Sequence, residues 1–409
     1  MAGPIKDKKI VVGVCGGIAA YKAVDVVRVL VKAGADVRVV MTRSAQSFVG
    51  PLTFEALSNN PVWTKMFGEE TGEPFRHIRW AEQADAVVVV PATANMIGKI
   101  AHGIADDPLT TLVLAARSPI LVCPSMNVRM YANDRVQENI KRVAEGGVRV
   151  LHPETGSLAC GDEGPGRLPE IQTIAEEIRL LLSPQNLSGE RILITAGPTQ
   201  EPLDPVRYIT NPSSGKMGYA LARVARRRGA EVFLISGPTH LPDPFGVTVI
   251  RVRTAEEMLR AVMDRMEETS IVLKAAAVSD WRPSHVSEHK VKKDKIPVPL
   301  ELEQTPDILK RLGGIKKNQI LIGFAAETER LEENAQAKLT SKNLDLVVAN
   351  LVGLPDSGFG ADTNRVTLLY RDGRNETLPL MEKEALADVL FDRVIEMRKT
   401  QRDRAGSQL

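Results

Sequence analysis

Lys9-Ile-Val-Val-Gly-Val-Cys-Gly-Gly-Ile-Ala-Ala-Tyr-Lys22 joins a β-branched run to a turn of small residues and then to an amphipathic stretch that continues to Lys32. A strand that feeds a helix through glycines opens an α/β unit, and the alternation recurs outward from it. Strands are expected at Asp36–Met41, Ala84–Val90 and Pro119–Cys123, and helices at Asp107–Ala116, Arg129–Glu145 and Ile171–Leu182. The run Ala84-Asp-Ala-Val-Val-Val-Val90 has no polar alternation, which fits a central parallel strand covered by helices on both faces.

Near Ser183-Pro-Gln-Asn-Leu-Ser-Gly-Glu190 the chain turns polar, and Arg191-Ile-Leu-Ile-Thr-Ala-Gly197 then restarts the strand-to-loop pattern. A domain boundary belongs there, giving domains over 1–184 and 190–400. The second half alternates again. Strands are expected at Glu231–Ser236, Val247–Val252, Ile271–Ala275, Gln319–Phe324 and Asp345–Ala349, with helices at Thr254–Met266 and Thr328–Lys342. A hairpin over Val366–Tyr370 and Glu376–Pro379 precedes a closing helix, Lys383–Arg398, and Gln401–Leu409 reads as a frayed tail. The fold class is therefore α/β, with two doubly wound domains; family resemblance implies that the first is flavodoxin-like and the second Rossmann-like.

Composition narrows the function classes. Lys and Arg number 53 against 51 Asp and Glu, a net charge of +2, so no overall field draws the chain to nucleic acid or to a membrane. Aromatics at 4% are too sparse for base-stacking platforms. The three cysteines form no C-x-x-C pair, there is no cleavable leader pattern, and no 18 apolar residues run together. The expectation is a soluble cytoplasmic protein acting on small molecules.

The turn Gly13-Val-Cys-Gly-Gly17 lets backbone approach an anion at a helix N-terminus, although the same glycines would serve a plain tight turn. Its spacing is not G-x-G-x-x-G, and the next strand ends in Met41-Thr42-Arg43 rather than in an acidic residue. A mononucleotide is favoured over NAD. Pro91-Ala-Thr-Ala-Asn95 and Pro124-Ser-Met-Asn-Val-Arg-Met130 follow later strands, where an open sheet places its site. His77 stands in Phe75-Arg-His-Ile-Arg-Trp80, and Cys160 in the Gly- and Pro-rich Leu158–Arg167 loop, a composition suited to a lid. Cys15 and Cys123 read as small core residues.

Taken together and in this order, these segments resemble the flavin-dependent cysteine decarboxylases, in particular phosphopantothenoylcysteine decarboxylases, over about Lys8 to Leu182. The resemblance implies FMN held by Gly17, Ile18, Thr42, Pro91, Ala92, Thr93 and Asn95. It implies His77 as active-site base, Asn127 as holder of the substrate carboxylate, Cys160 as proton donor and Met130 beside the substrate.

In the second half, Ser213-Ser-Gly-Lys216 at a helix start is a phosphate signal, or a simple helix cap at Ser213; the spacing is not that of a P-loop. The charged stretch Glu288-His-Lys-Val-Lys-Lys-Asp-Lys-Ile296 is a solvated loop or a flap over anions. The whole run Ile194–Gly218, with Ala275–Arg282, Lys290–Lys293, Thr305–Ile308, Gly323–Thr328 and Lys342–Leu346, resembles phosphopantothenate–cysteine ligases over about Glu190 to Arg398. Both halves together resemble the bacterial bifunctional enzymes of coenzyme A synthesis. That resemblance implies CTP and Mg2+, with the nucleotide bound by Lys274, Ala275, Ala276, Asp280, Lys290, Pro306, Asp307, Ile308, Leu309, Phe324, Lys338 and Lys342. Asn211 would hold an acyl-cytidylate, Lys290 would serve attack by L-cysteine, and Arg207, Ser213, Ser214, Gly215 and Lys216 would bind 4′-phosphopantothenate. No residues are named as metal ligands. The resemblance also implies a homo-oligomer, trimeric through the flavoprotein half and dimeric through the ligase half, up to a dodecamer. The competing readings are a flavoprotein-fold regulatory protein without turnover and an NADP-dependent reductase.

Overall fold

The apolar strand that ends at Ala92 is buried along its whole length, as a strand with helices on both faces must be. The computed structural model describes residues 3–67, 75–157, 161–292, 300–327, 329–351 and 360–406. Cys160 and the later lysines of the charged stretch, Lys293 and Lys295, lie outside the described residues. The chain divides into two units, residues 2–183 and 184–409.

The first unit runs β1 (Lys9–Val14), α1 (Ala20–Lys32), β2 (Asp36–Met41), α2 (Pro51–Ser58), α3 (Arg76–Gln83), β3 (Ala86–Ala92), α4 (Ala94–Ala101), α5 (Pro108–Ala115), β4 (Ile120–Pro124), α6 (Val128–Tyr131), α7 (Asp134–Glu145), β5 (Arg149–Val150), β6 (Glu154–Ser157), β7 (Glu163–Arg167) and α8 (Ile171–Leu182). Its main sheet is parallel in the order β2-β1-β3-β4-β5. The chain reverses direction across the sheet between β1 and β3, so a crevice opens where their carboxyl ends diverge. One apolar cluster packs α1 and α8 on one face of the sheet; another packs α3, α4, α5 and α7 on the other.

The second unit runs β8 (Arg191–Ala196), β9 (Gln200–Pro202), β10 (Tyr208–Thr210), α9 (Lys216–Arg227), β11 (Glu231–Ser236), β12 (Thr248–Arg251), α10 (Ala255–Met266), β13 (Ile271–Lys274), β14 (Trp281–Pro283), β15 (Leu302–Gln304), α11 (Ile308–Ile315), β16 (Ile320–Glu327), α12 (Leu331–Ser341), β17 (Leu346–Leu351), β18 (Thr363–Asn364), β19 (Val366–Tyr370), β20 (Asn375–Thr377), β21 (Met381–Glu382) and α13 (Lys383–Gly406). The large sheet has the order β12-β11-β8-β13-β16-β17-β19-β20, parallel through β17 and antiparallel beyond it. Its switch point lies between β8 and β13. Thr254 starts α10 with a reciprocal cap, accepting from Glu257 N–H while the Glu257 carboxylate accepts from the Thr254 N–H.

Four expectations need correction. The helix expected over Arg129–Glu145 is two, because Asn133 leaves helical dihedrals (φ −68°, ψ 130°) and its side chain accepts from Arg135 N–H at 3.0 Å to cap α7. The lid loop Leu158–Arg167 ends in a strand: β7 pairs antiparallel with β6, hidden by its Gly and Pro content. The tail expected to fray from Gln401 is helical to Gly406. Ser213 does not cap a helix, since Gly215 occupies the N-cap of α9 in a left-handed conformation (φ 76°) and no side chain caps that end.

Candidate functional sites

In the first unit the turn after β1 is pressed between its neighbours. A Cβ on Gly16 would sit 2.3 Å from Ser44 Cβ and 2.6 Å from its carbonyl carbon, and one on Gly17 would face Thr93 Cγ2 at 3.9 Å. At Gly16 only glycine lets the turn close against Ser44, whereas a Cβ on Gly17 would meet Thr93 at ordinary contact distance; the neighbouring Ile18 is exposed. Thr42, just past β2, accepts from Ala45 N–H at 3.2 Å, which fixes that loop. Past β3, Val90-Pro91 is a cis peptide, Pro91 and Ala92 are buried, and Thr93 caps α4 by accepting from Met96 N–H. Asn95 is exposed in the first turn of α4. Gly17 and Ile18 follow β1, Thr42 follows β2, and Pro91–Asn95 run from the end of β3 into α4, so these residues lie at or just past the carboxyl ends of three neighbouring parallel strands.

Asn127 follows β4. Its side-chain oxygen accepts from Arg129 N–H at 2.8 Å and its amide donates to Asp162 Oδ2 at 2.9 Å. Met126 N–H donates to Gly166 O at 3.0 Å, so β7, paired with β6, is anchored against the end of β4. Met130 is half exposed on α6. His77 lies in the first turn of α3, partly buried, and the contacts that tie Asn127 to the hairpin do not include it. Cys15 and Cys123 are fully buried, and burial pushes the Cys15 thiol up to about 12 and Cys123 also upward. Both stay protonated and inert.

In the second unit a cleft of about 710 Å³ opens at the carboxyl ends of the strands. Asn211, Ser213, Ser214, Gly215 and Lys216 line it from the turn into α9; Lys274, Ala275, Ala276 and Asp280 from the end of β13; Pro306, Asp307, Ile308 and Leu309 from the start of α11; Phe324 from β16; and Lys338 and Lys342 from α12 and its C-cap. Asn211 is held by its amide donating to Val278 O at 3.0 Å. A Cβ on Gly218 would lie 2.4 Å from Ala196 Cβ, so α9 can pack on β8 only with glycine there.

Three lysines, Lys274, Lys338 and Lys342, line the part of the cleft formed by β13, β16, α11 and α12. Lys338 Nζ donates to Phe324 O at 2.7 Å, and Lys342 Nζ lies 2.9 Å from Asp307 Oδ2. Burial, followed by the neighbouring Lys338 and Lys342, brings Lys274 down to about 7. Burial and Lys342 likewise lower Lys338. Burial alone would raise the Asp307 carboxyl, but the Lys310 N–H and Lys342 win and hold it below the ordinary carboxylate value. The result is a site short of anions.

Arg207 and Lys290 are not among the described residues that line this cleft. Buried Asp204 accepts from the N–H groups of Val206 and Arg207 at 2.8 Å and of Val291 at 3.2 Å, and the Arg207 guanidinium donates to Val291 O. Arg207 therefore clamps the root of the charged stretch next to exposed Lys290. Sequence reasoning missed Asn350, Asn364 and Lys383, which also line the cleft. They come from late elements with no motif around them, and only the sheet order brings them in. Among the described residues no cluster of His, Cys, Asp or Glu could hold a metal ion, and no helix is long and apolar enough to cross a membrane.

Comparison with known proteins agrees with this division. The family described as Flavoprotein matches residues 2–183, and that described as DNA/pantothenate metabolism flavoprotein C-terminal domain matches residues 187–397. The chain is similar to the Coenzyme A biosynthesis bifunctional protein CoaBC of Bacillus subtilis (strain 168), at 48% identity over 95% of this chain and 96% of that protein. The protein of the same name from Escherichia coli (strain K12) is 44% identical, over 96% of this chain and 97% of its own length. A crystal structure of the C-terminal domain of such a protein covers 53% of this chain and 99% of its own, with 46% identity and a TM-score of 0.46.

Proposed function

We propose an assignment of residues from a plain premise: the chain belongs to the family of bifunctional coenzyme A biosynthesis proteins, with a flavoprotein half and a ligase half. The second unit joins 4′-phosphopantothenate to L-cysteine at the expense of CTP, and the first decarboxylates the product to 4′-phosphopantetheine with FMN. What supports the ligase reading is the convergence of Asn211, Lys274, Asp280, Pro306–Leu309, Phe324, Lys338 and Lys342 in one cleft.

A carboxylate does not react with an amine at neutral pH. It first attacks the α-phosphorus of CTP and expels pyrophosphate, and the cysteine amine then displaces CMP. Lysines and Mg2+ supply the charge that the first step demands. Lys274, Lys338 and Lys342 hold the nucleotide, Asn211 orients the acyl-cytidylate, and Ser213–Lys216 bind the phosphorylated substrate. Lys290, on the segment clamped by Arg207, closes over the second step.

In the decarboxylase half, bound FMN supplies reversible oxidation of the substrate's thiol-bearing carbon, which gives the carbanion left by CO2 an electron sink. Gly17, Thr42 and Pro91–Asn95 present the backbone and side chains that hold its phosphate and ring. Asn127 orients the substrate carboxylate, His77 acts as base, and Cys160 returns a proton. The protein is cytoplasmic and a homo-oligomer, trimeric through the first unit and dimeric through the second, up to a dodecamer.

The test is one incubation with phosphopantothenate, cysteine, CTP and Mg2+, read by mass spectrometry. Phosphopantetheine with CMP and pyrophosphate is expected. Phosphopantothenoylcysteine alone would remove the decarboxylase assignment, and absence of CMP would remove the ligase assignment.

A further inference from the structure

The segment Lys342-Asn-Leu-Asp-Leu346 contributes one residue, Lys342, to the cleft of the second unit. Its neighbours build a junction between two helices. Asn343 stands just past α12 in the left-handed region (φ 52°), and the turn closes with Asn343 N–H donating to Thr340 O at 3.3 Å and Leu344 N–H to Leu339 O at 3.0 Å. Glycine usually ends a helix this way, and asparagine tolerates the conformation better than most residues that carry a side chain. Here the side chain makes a further contact, its amide donating to Gly313 O in α11 at 2.8 Å. A Cβ on Gly313 would lie 2.8 Å from the Lys342 carbonyl carbon, so the two helices touch through main chain. Lys316, with 7% of its side chain exposed, locks the same turn by donating to Asn343 O at 3.2 Å and to both Asp345 carboxylate oxygens at 2.7 Å.

This junction sets where Lys342 stands. Its main chain rests against Gly313 near the carboxyl end of α11, while its Nζ lies 2.9 Å from Asp307 Oδ2 at the N-cap of the same helix. The side chain therefore runs back along α11 and ends beside Pro306–Leu309 in the cleft lining. The ion pair does not hold that course by itself. With 25% of the Lys342 side chain and 41% of the Asp307 side chain exposed, it contributes little beyond the entropy lost in ordering a lysine. What fixes the ammonium is the place of the Lys342 main chain, set by Asn343 and Gly313.

We propose that Asn343 is a positioning residue for the nucleotide of the ligase half: by docking the end of α12 on α11 it aims the Lys342 ammonium into the cleft without touching the ligand itself. The inference rests on the ligase reading above, in which Lys342 holds CTP.

Steady-state ligation by the full-length protein, with each substrate varied in turn, tests it on Asn343→Ala, Asn343→Gly, Lys342→Gln and the combination of Asn343→Ala with Lys342→Gln. Asn343→Ala loses both the amide donor and the tolerance of the left-handed turn. It should raise the KM for CTP by roughly threefold to tenfold and leave the KM values for phosphopantothenate and cysteine unchanged. Asn343→Gly keeps the turn and should recover part of the loss. In the Lys342→Gln background Asn343→Ala should add little, because its effect passes through the missing ammonium. An unchanged KM for CTP in folded Asn343→Ala, an equal rise in all three KM values, or an undiminished effect in the Lys342→Gln background would overturn the proposal. A lower Tm with wild-type KM values would do the same, since it marks a role in the fold alone. If Asn343→Ala does not fold, Asn343→Gly decides: a selective rise in the KM for CTP that disappears in the Lys342→Gln background supports the proposal, and none overturns it. A wild-type KM for CTP in Lys342→Gln alone would remove Lys342 from the nucleotide site and this proposal with it, whereas failure of the wild-type chain to release CMP would sink the ligase reading itself.

Discussion

Both units place their candidate sites past the carboxyl ends of a parallel sheet, yet they meet an anion with different material. In the first unit the Gly16-Gly17 turn offers main chain at close range, because Ser44 leaves no room for a Cβ on Gly16. In the second, Lys216, Lys274, Lys338, Lys342 and Lys383 line one cleft. Backbone N–H groups are fixed, uncharged and permanent, which suits a resident mononucleotide with a single phosphate. Lysines are mobile and titratable, which suits a triphosphate that must be bound, split and released. On the proposed assignment, the same sheet geometry would serve retention in one unit and turnover in the other.

The strongest way to break that comparison is to separate the two activities. His77→Asn should lower CO2 release by a factor on the order of 10² to 10⁴ and leave CMP release intact. Lys290→Gln should do the reverse, with acyl-cytidylate accumulating in quenched samples. Parallel loss of both activities in either variant would mean that the halves do not work as separate sites.

Next come the glycines. Gly16→Ala and Gly218→Ala each force a contact below 2.5 Å against a neighbouring Cβ, an overpacking cost of about 1–3 kcal/mol. Each should destabilise only its own half: Gly16→Ala should deplete bound flavin by absorbance, while Gly218→Ala should raise the KM for CTP with flavin content unchanged.

A smaller effect sharpens the electrostatic side. Lys274 sits at about 7 in the folded chain against an ordinary 10.5, so the unfolded chain binds more protons between those values. The stability of the ligase half should therefore rise as pH climbs from about 7 toward 10, with the penalty for a charged Lys274 fully present below 7. A bound polyanion favours the charged form, so CTP binding at pH 8 should take up protons and weaken as pH rises further. Calorimetry in buffers of different ionisation enthalpy reads this; identical apparent enthalpies, or buffer dependence that persists in Lys274→Met, would count against it.

The smallest effect expected is that of Asp362→Asn. It removes an exposed, water-screened partner of Lys216 and should leave Tm within a few degrees of the wild-type value.

Much of this was legible before any coordinates. The unbroken Val87–Val90 run and the glycine turns marked buried parallel strands, because apolar periodicity and backbone freedom are local properties. Legibility stopped where local signals conflict. The Gly- and Pro-rich Glu163–Arg167 segment forms a strand only because β6 lies beside it, and Asn133 divides an otherwise continuous helical pattern with its own side chain. The contact of Arg207 was not legible at all: its guanidinium donates to Val291 O, 84 residues along the chain.

By itself, the sequence determined the doubly wound class and the residue types at each strand end, since these follow from periodicity and from where Gly, Pro and Asn stand. Only the tertiary structure decided which of those residues share a site. The order β8-β13-β16-β17 and the β18-β21 ribbon carry Asn350, Asn364 and Lys383 to the same cleft as Lys216 and Lys274. Lys274 is depressed for the same reason: its value depends on burial and on two lysines 64 and 68 residues away, which no local pattern of the chain encodes.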